Sequence, residues 1–339
     1  MTTTAVSTDT TSVFRQRSKL QGIDRAAWII LAVDIAVILA FGAASKWVFL
    51  RPENLQALAI NSSQVVLLAT AVALILSIGE IDISLGAVVV GASVVSGLVL
   101  SAMGDISVGL VLLIGLGLSL LVGVACLALN AGILLVLKVN SFIGTLATLG
   151  IFTGTVYVLT NGSNVTGVPI SVQQAFGSFK VFGAIPLPAL VAVVVAVLVW
   201  YVVRYTKFGT HVIAAGSNRD ASVRAGVRTN TVILLTFVIA GAIVGIAGFI
   251  DLSRFGTTDI AGHQTDALSA IAGAVIGGTR LSGGRISVLG AVSGALLASI
   301  LQTGLVVIGL PAFYQLIAIG IVLIIAVAIG QRRRSNRLT

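Results

Sequence analysis

Charge is what this chain of 339 residues most lacks: Asp, Glu, Lys and Arg together make up 9% of it. A soluble domain carries about 25%. So few polar residues cannot cover a water-facing surface, and a soluble globular fold is excluded. Hydrophobic residues reach 57%, mean hydropathy is +1.12, and the apolar residues gather in long runs. Lipid is therefore the solvent for most of the chain. Cysteine is nearly absent: Cys126 stands alone in an apolar run, which excludes an intrachain disulfide and a thiolate metal cluster. The two histidines, His211 and His263, lie far apart and without HExxH spacing, so metal catalysis has no support. There is no Gly-Lys dipeptide and hence no Walker A loop, so this chain is expected to bind no ATP or other cofactor itself. The net charge of +9 comes without the aromatic-interleaved basic patch that marks a nucleic-acid binder.

Present instead are segments of the length that crosses a bilayer, about 20 apolar residues. Ten qualify or nearly do: 27–45, 57–78, 83–103, 107–129, 141–160, 187–205, 231–250, 266–278, 286–308 and 312–330. The eighth is short enough to be tilted, broken or re-entrant. The expected fold is all-α, a polytopic membrane bundle of about ten helices. Residues 1–25 read as a Ser/Thr-rich tail before an uncleaved first helix, 26–330 as the transmembrane domain, and 331–339 as a basic tail.

Lys and Arg gather on the cytoplasmic side of membrane proteins. With the N-terminus placed inside, the inside regions hold Arg15, Arg17, Lys19, Arg25, Lys138, Arg204, Lys207, Arg219, Arg224, Arg228, Arg280, Arg285, Arg332, Arg333, Arg334 and Arg337. The outside regions hold only Lys46, Arg51, Lys180 and Arg254. This asymmetry predicts an even number of spans with both termini in the cytoplasm. Two connections are long: the outside loop 161–186, with room for short structure of its own, and the inside loop 206–230.

Glycine occurs 38 times, with GxxxG spacing at Gly150/Gly154, Gly241/Gly245, Gly273/Gly277 and Gly290/Gly294. That spacing lets membrane helices approach closely. Polar residues inside spans are candidates for a solute pathway. Asn61, Ser62 and Gln64, beside Ser63, suit sugar hydroxyls or simply hydrogen bonds between helices. Phe142, Phe152 and Tyr157 offer apolar faces to a ring or ordinary packing, and Gln302 lies in the ninth span. Glu80 and Asp82 sit at a junction of two spans, where they either line a pathway or form a solvated turn with Asp82 capping the next helix. Asp34 lies within the first span, where a carboxylate costs ~2.5–3.5 kcal/mol at the bilayer centre; it reads as a tolerated single group. Asp251, Arg254, Asp259, His263 and Asp266 read as an outside cluster, either a solvated loop or a patch for a binding protein.

Within the inside loop, Gly216-Ser217-Asn218-Arg219-Asp220-Ala221-Ser222-Val223-Arg224-Ala225-Gly226 predicts a helix of about two turns. Ser217 with Asp220 makes a capping box, and Gly226 is a suitable stop. So short a helix needs a partner surface. Ala221 and Ala225 allow close docking, and Arg219 and Arg224 supply charge. A solvated helical turn is the plainer alternative.

The Ala214-Ala215-Gly216-Ser217-Asn218 segment followed by Ala221 and Gly226-Val227 resembles the AxGxN…A…GI pattern of ribose-type bacterial ABC sugar permeases. Gly79-Glu80-Ile81-Asp82-Ile83-Ser84-Leu85-Gly86 resembles their GGIDLSVG, with Glu80 in place of glycine. Asn140-Ser141-Phe142-Ile143-Gly144-Thr145-Leu146 resembles PPFIVTL, with Asn140-Ser141 for the proline pair. Ile271 to Thr279, then Gly283-Gly284-Arg285, resembles IAAVVIGGTxxxGGRG, with Ile286 replacing the last glycine. The matches run in order from about residue 55 to residue 330.

The resemblance implies a permease subunit in the bacterial inner membrane, and not an enzyme. It implies a second permease subunit of the same or another kind, a cytoplasmic ATP-binding subunit that holds ATP-Mg and docks on the 206–230 loop, and an extracytoplasmic sugar-binding protein. A monosaccharide cargo follows, pentoses favoured. Residues of the GGIDLSVG- and PPFIVTL-like segments, Glu80, Asp82, Ser84, Phe142 and Thr145, join the pathway candidates. Permeases for branched-chain amino acids or nucleosides, and more distantly an ion-coupled carrier, are the alternatives.

Overall fold

The computed structural model describes residues 11–104, 107–263 and 265–311, with Tyr314, Ile317, Gly320 and Ile321 beyond them and with backbone alone before Ala27. Twelve helices form among these residues. They are α1 (Thr11–Ala44), α2 (Pro52–Ser77), α3 (Leu85–Ala102), α4 (Val108–Val136), α5 (Ser141–Thr160), the single turn α6 (Ile170–Val172), α7 (Leu187–Tyr205), α8 (Lys207–Ser217), α9 (Arg219–Arg224), α10 (Thr229–Phe255), α11 (Asp266–Ile276) and α12 (Val288–Val307). Eight are long and apolar enough to cross a membrane: α1, α2, α3, α4, α5, α7, α10 and α12. They coincide with eight of the ten expected segments. The segment 266–278 forms only the 11-residue α11, too short to span by itself. Its helix stops where Gly277-Gly278 interrupts the chain, and Gly278 takes φ +94. The segment 312–330 and the C-terminal tail lie outside the described residues, apart from the four positions named above.

Both long loops carry structure. In the 161–186 connection, α6 runs into a π turn at Gln173–Gly177, followed by a minimal antiparallel pair, Lys180–Val181 with Ile185–Pro186. The 206–230 connection contains α8 as well as the expected α9.

Every spanning helix is apolar on all sides, so hydrophobicity alone cannot say which faces touch protein and which touch lipid. Small residues decide it. Along the α4–α10 contact, a Cβ on Gly241 would strike the backbone of Gly123, and one on Gly245 would strike the Ser119 carbonyl. Two of the GxxxG pairs face each other, with Gly273 and Gly277 of α11 against Gly294 and Gly290 of α12. Helices α2, α3 and α10 are the most buried of the bundle, whereas α1, α4, α5 and α7 leave most of their residues outward. The pair Gly150/Gly154 behaves differently, since open space surrounds both.

Two interruptions shape the interior. After α2, Gly79 takes φ +80 and residues 80–84 run without helix before α3. After α10, Gly256 takes φ +64 and residues 257–263 are irregular before α11. A third loop, between α11 and α12, turns back on the first: Gly284 donates its N–H to the Ser77 carbonyl at 2.9 Å.

Gly245→Val should lower the detergent-solubilised melting temperature, because overpacking a close contact costs about 1–3 kcal/mol. Gly154→Val should leave it unchanged. Equal melting temperatures for the two variants would refute the α4–α10 contact.

Candidate functional site

At one end of the bundle, α8 and α9 form an angled pair on the surface. The Thr206 side chain accepts from Gly209 N–H at 3.4 Å to start α8, and Val212 and Ala215 are its buried face. Gly216 lies against the Ser77 carbonyl and Gly284 N–H, with no room for a side chain. The expected cap at Ser217 is displaced by one residue. Ser217 ends α8, its hydroxyl donating to the Ile213 carbonyl at 2.8 Å, and Asn218 caps α9, its Oδ1 accepting from Ala221 N–H at 2.9 Å. Asn218 is extended at φ −159, the backbone an N-cap requires; Ser217 is still helical. Asp220 falls in the first turn, exposed and without the capping-box role.

Gly226 takes φ +83 and closes α9. Its N–H meets the Val223 carbonyl, and Val227 N–H meets the Ser222 carbonyl, each at 3.0 Å, the paired bonds of a Schellman stop. Ala221, Arg224, Ala225 and Gly226 are exposed. Arg219 reaches back to Glu80, Nη1 to Oε1, at 3.4 Å. The outward face of α9 is therefore free, while its first turn is tied to the residues that follow α2.

Asp82 is not part of a solvated turn. It is 2% exposed, within the non-helical stretch 80–84. Its Oδ1 accepts from Ser84 N–H at 2.8 Å and from the Ser84 hydroxyl at 2.7 Å, and its Oδ2 accepts from Asn130 Nδ2 at 2.7 Å. Asn130 Nδ2 also lies 2.9 Å from Ser84 Oγ. The freed backbone is met by the start of α5: Ile81 N–H donates to Ser141 Oγ at 3.1 Å and Ile83 N–H to Thr145 Oγ1 at 3.3 Å. Irregular backbone within a membrane bundle requires such internal partners. Asp82, Ser84 and Thr145 thus hold one break in place. Asn130, the one amide side chain in the apolar helix α4, was the sequence signal for this partner.

The residues read as an outside cluster are largely buried together. His263 Nδ1 lies 2.8 Å from Asp266 Oδ2, and its Nε2 faces Asp251 Oδ1 at 3.2 Å. Gln64 Nε2 stands 3.0 Å from the same Nδ1. Ser93 donates to Asp251 Oδ2 at 3.4 Å. Burial by itself would lower the His263 pKa; the hydrogen bonds and charges of Asp251 and Asp266 outweigh it and hold the imidazole up, to about 10. The imidazole thus sits between two carboxylates. One turn beyond Asp251, Arg254 bonds to Asn61 Oδ1 and packs over the Phe255 ring at 4.5 Å. Only Asp259 of the five is exposed. The pin spans α2, α3, α10 and α11, which no single segment reveals.

The other candidates disperse. The Ser62 hydroxyl turns back to the Leu58 carbonyl at 2.6 Å. Phe152 packs partly on the main core, whereas Phe142, Tyr157 and Gln302 are exposed. Asp34 is 2% exposed, and neither carboxylate oxygen has a hydrogen-bond partner among the described residues.

Asp82→Ala strips the acceptor from Ser84 and Asn130 and should cost about 1–3 kcal/mol in thermal denaturation. Glu80→Ala, breaking a part-exposed ion pair, should cost only about 0–1 kcal/mol. Indistinguishable losses would refute the assignment of Asp82 as the pin of this break.

Residues 54–327 match a family model described as branched-chain amino acid transport system / permease component. The D-allose transport system permease protein of Escherichia coli (strain K12) is 29% identical over 304 residues, 90% of this chain and 90% of that protein. The ribose import permease protein of Bacillus subtilis (strain 168) is 30% identical over 291 residues, 84% of this chain and 87% of that one. The L-arabinose ABC transporter permease protein of Azospirillum brasilense is 29% identical over 293 residues, covering 85% and 83%. No solved structure matches the chain. A polytopic helical bundle matched along most of its length by these permeases belongs to their family, and the chain is a multi-pass permease subunit of a bacterial ABC importer, the transport component and not a catalytic one.

Proposed function

We propose that this chain forms the membrane pathway of an importer for a monosaccharide, pentoses favoured, in company with a second permease subunit. In this reading the α8–α9 end faces the cytoplasm and receives a separate ATP-binding subunit that carries ATP-Mg, while an extracytoplasmic sugar-binding protein delivers solute to the opposite end. The monosaccharide reading draws on relatives named for allose, ribose and arabinose.

The observation that carries the coupling role is the state of α9. It is a six-residue helix, too short to persist alone, with an open outer face and a first turn tied inward through Arg219 to Glu80. Next to it, Gly216 rests on Ser77 and Gly284. A push on α8–α9 therefore meets the end of α2, the 80–84 break and the α11–α12 loop at one junction. ATP-driven closure of the partner shifts an inward/outward equilibrium by its differential contact with the two states. Gly216, Ser217, Asn218, Arg219, Asp220, Ala221, Arg224 and Gly226 form the coupling element. Asn61, Ser62, Gln64, Glu80, Asp82, Ser84, Phe142, Thr145, Phe152 and Gln302 are the pathway candidates. Of these, Asn61, Gln64, Asp82, Ser84 and Thr145 hold the helix breaks that shape the pathway.

A second reading follows from the family description, a branched-chain amino-acid cargo. Uptake of labelled sugars and labelled leucine by cells with and without the chain separates the two. Affinity purification from mild detergent should recover an ATPase subunit with a Walker A loop, and Arg224→Ala or a bulky replacement of Gly226 should leave the chain folded but uncouple ATP hydrolysis from uptake. Normal transport by both variants would overturn the coupling role of α9.

A further inference from the structure

Between α3, α5 and the 257–263 loop lies a cavity of about 280 Å³. Its wall includes Gly86 and Val90 of α3, Leu149 and Thr153 of α5, and Ile260 and His263 of the loop. The loop lies directly on α3: a Cβ at Gly86 would strike the His263 carbonyl oxygen. The loop is held there from outside the cavity. Thr258 N–H donates to the Val165 carbonyl at 3.2 Å, Ile260 N–H donates to Asn164 Oδ1 at 3.1 Å, and His263 is gripped by Asp251 and Asp266.

Thr153 is the odd threonine of α5. Thr145, Thr148, Thr155 and Thr160 each return their hydroxyl to a carbonyl of the helix, at 2.8, 3.2, 2.8 and 2.9 Å. Thr153 makes no such bond among the described residues, and its side chain is on the cavity wall. It keeps one donor and two acceptor positions for something else. The rest of the wall is aliphatic or glycine except for His263, whose two ring nitrogens both face carboxylates. Among the described residues, no cation or carboxylate without a partner lines the space.

We infer that this cavity is a solute subsite for a neutral, hydroxylated molecule of monosaccharide size, with the Thr153 hydroxyl as its polar contact and the aliphatic wall against an apolar face of the ring. The inference rests on the monosaccharide reading and makes it specific to one place. A zwitterionic amino acid would lose hydration from an ammonium and a carboxylate here and find no charged partner for either, a large cost. A sugar gives up only part of its hydration and bonds to Thr153. Few polar contacts also mean weak binding, which suits a site that must release its solute onward.

The test uses cells that carry the whole transporter, with Cys126→Ala removing the native thiol. Thr153→Cys is labelled with 2-aminoethyl methanethiosulfonate in the presence of D-ribose, D-allose, L-arabinose or leucine, and uptake of each solute is measured in parallel. At about ten times the half-saturating concentration, the transported sugar should slow labelling of Thr153→Cys about tenfold. Thr155→Cys, next but one on α5 and exposed, should label at an unchanged rate. If Thr153→Cys fails to reach the membrane, Ala87→Cys on the α3 wall takes its place. Sugar uptake with no slowing at the cavity, or with equal slowing at Thr155→Cys, overturns the subsite and leaves the sugar reading intact. Uptake of leucine and of none of the sugars overturns the sugar reading, and the subsite with it.

Discussion

Backbone hydrogen bonding within the bundle is the constraint on which the rest of this structure depends. A spanning helix satisfies its own amides and carbonyls, and a break in it leaves several buried and bare. This chain breaks twice, at 80–84 and at 257–263, and each time other elements supply the missing partners. At the first break these are Ser141, Thr145 and, through Asp82, Asn130. At the second they are Asn164, Val165 and Gln173, whose Nε2 donates to the Arg254 carbonyl at 2.9 Å. Asp82, Asn130, Ser141 and Thr145 are polar residues placed to serve a stretch where the backbone departs from helix.

Glycine serves the same architecture in a second way. With lipid outside and apolar side chains everywhere, helices gain little by burying one face over another, and close approach decides the neighbours. The α4–α10 and α11–α12 contacts are backbone against backbone at Gly123, Gly241, Gly245, Gly273, Gly277, Gly290 and Gly294. A similar approach joins Gly216, Gly283 and Gly284 to the end of α2, so main-chain contact helps seat the surface pair α8–α9 on the bundle, beside the buried Val212 of α8. A displacement there has little slack through which to dissipate. The Arg219–Glu80 pair adds a polar link at that junction, made by the residue that replaces a glycine of the resembling motif.

Charge is rare in the interior, and among the described residues Asp82, Asp251 and His263 are hydrogen-bonded or paired with opposite charge, whereas Asp34 has no hydrogen-bond partner. His263 between Asp251 and Asp266 joins α10, α11 and the intervening loop, and Gln64 of α2 donates from Nε2 to Asp266 Oδ2 at 3.4 Å. That clamp sets the loop over the cavity, with His263 on the cavity wall and its ring nitrogens turned to carboxylates.

Composition and hydropathy determined a polytopic helical membrane protein, the place of eight spans and the short eighth segment, and local capping and stop residues pointed to the small helix at Arg219–Arg224. These rest on local physics: runs of apolar residues have one stable conformation in lipid, and capping and stop residues act on their immediate neighbours. Even so, the cap fell on Asn218 and not on Ser217, because α8 extends through Ser217, and its packing against Ser77 and Gly284 involves residues far away in the chain. The burial of Asp82 and of the Asp251–His263–Asp266 trio was likewise not readable from their segments, which look like polar turns. Only the tertiary structure decided it, because a turn is solvated or buried according to what packs over it, and here Asn130, Gln64 and Ser93 come from other helices. The GxxxG pairs show the same division: their spacing marks four surfaces that permit close approach, and only the assembled bundle determines that three of them meet a neighbour within this chain.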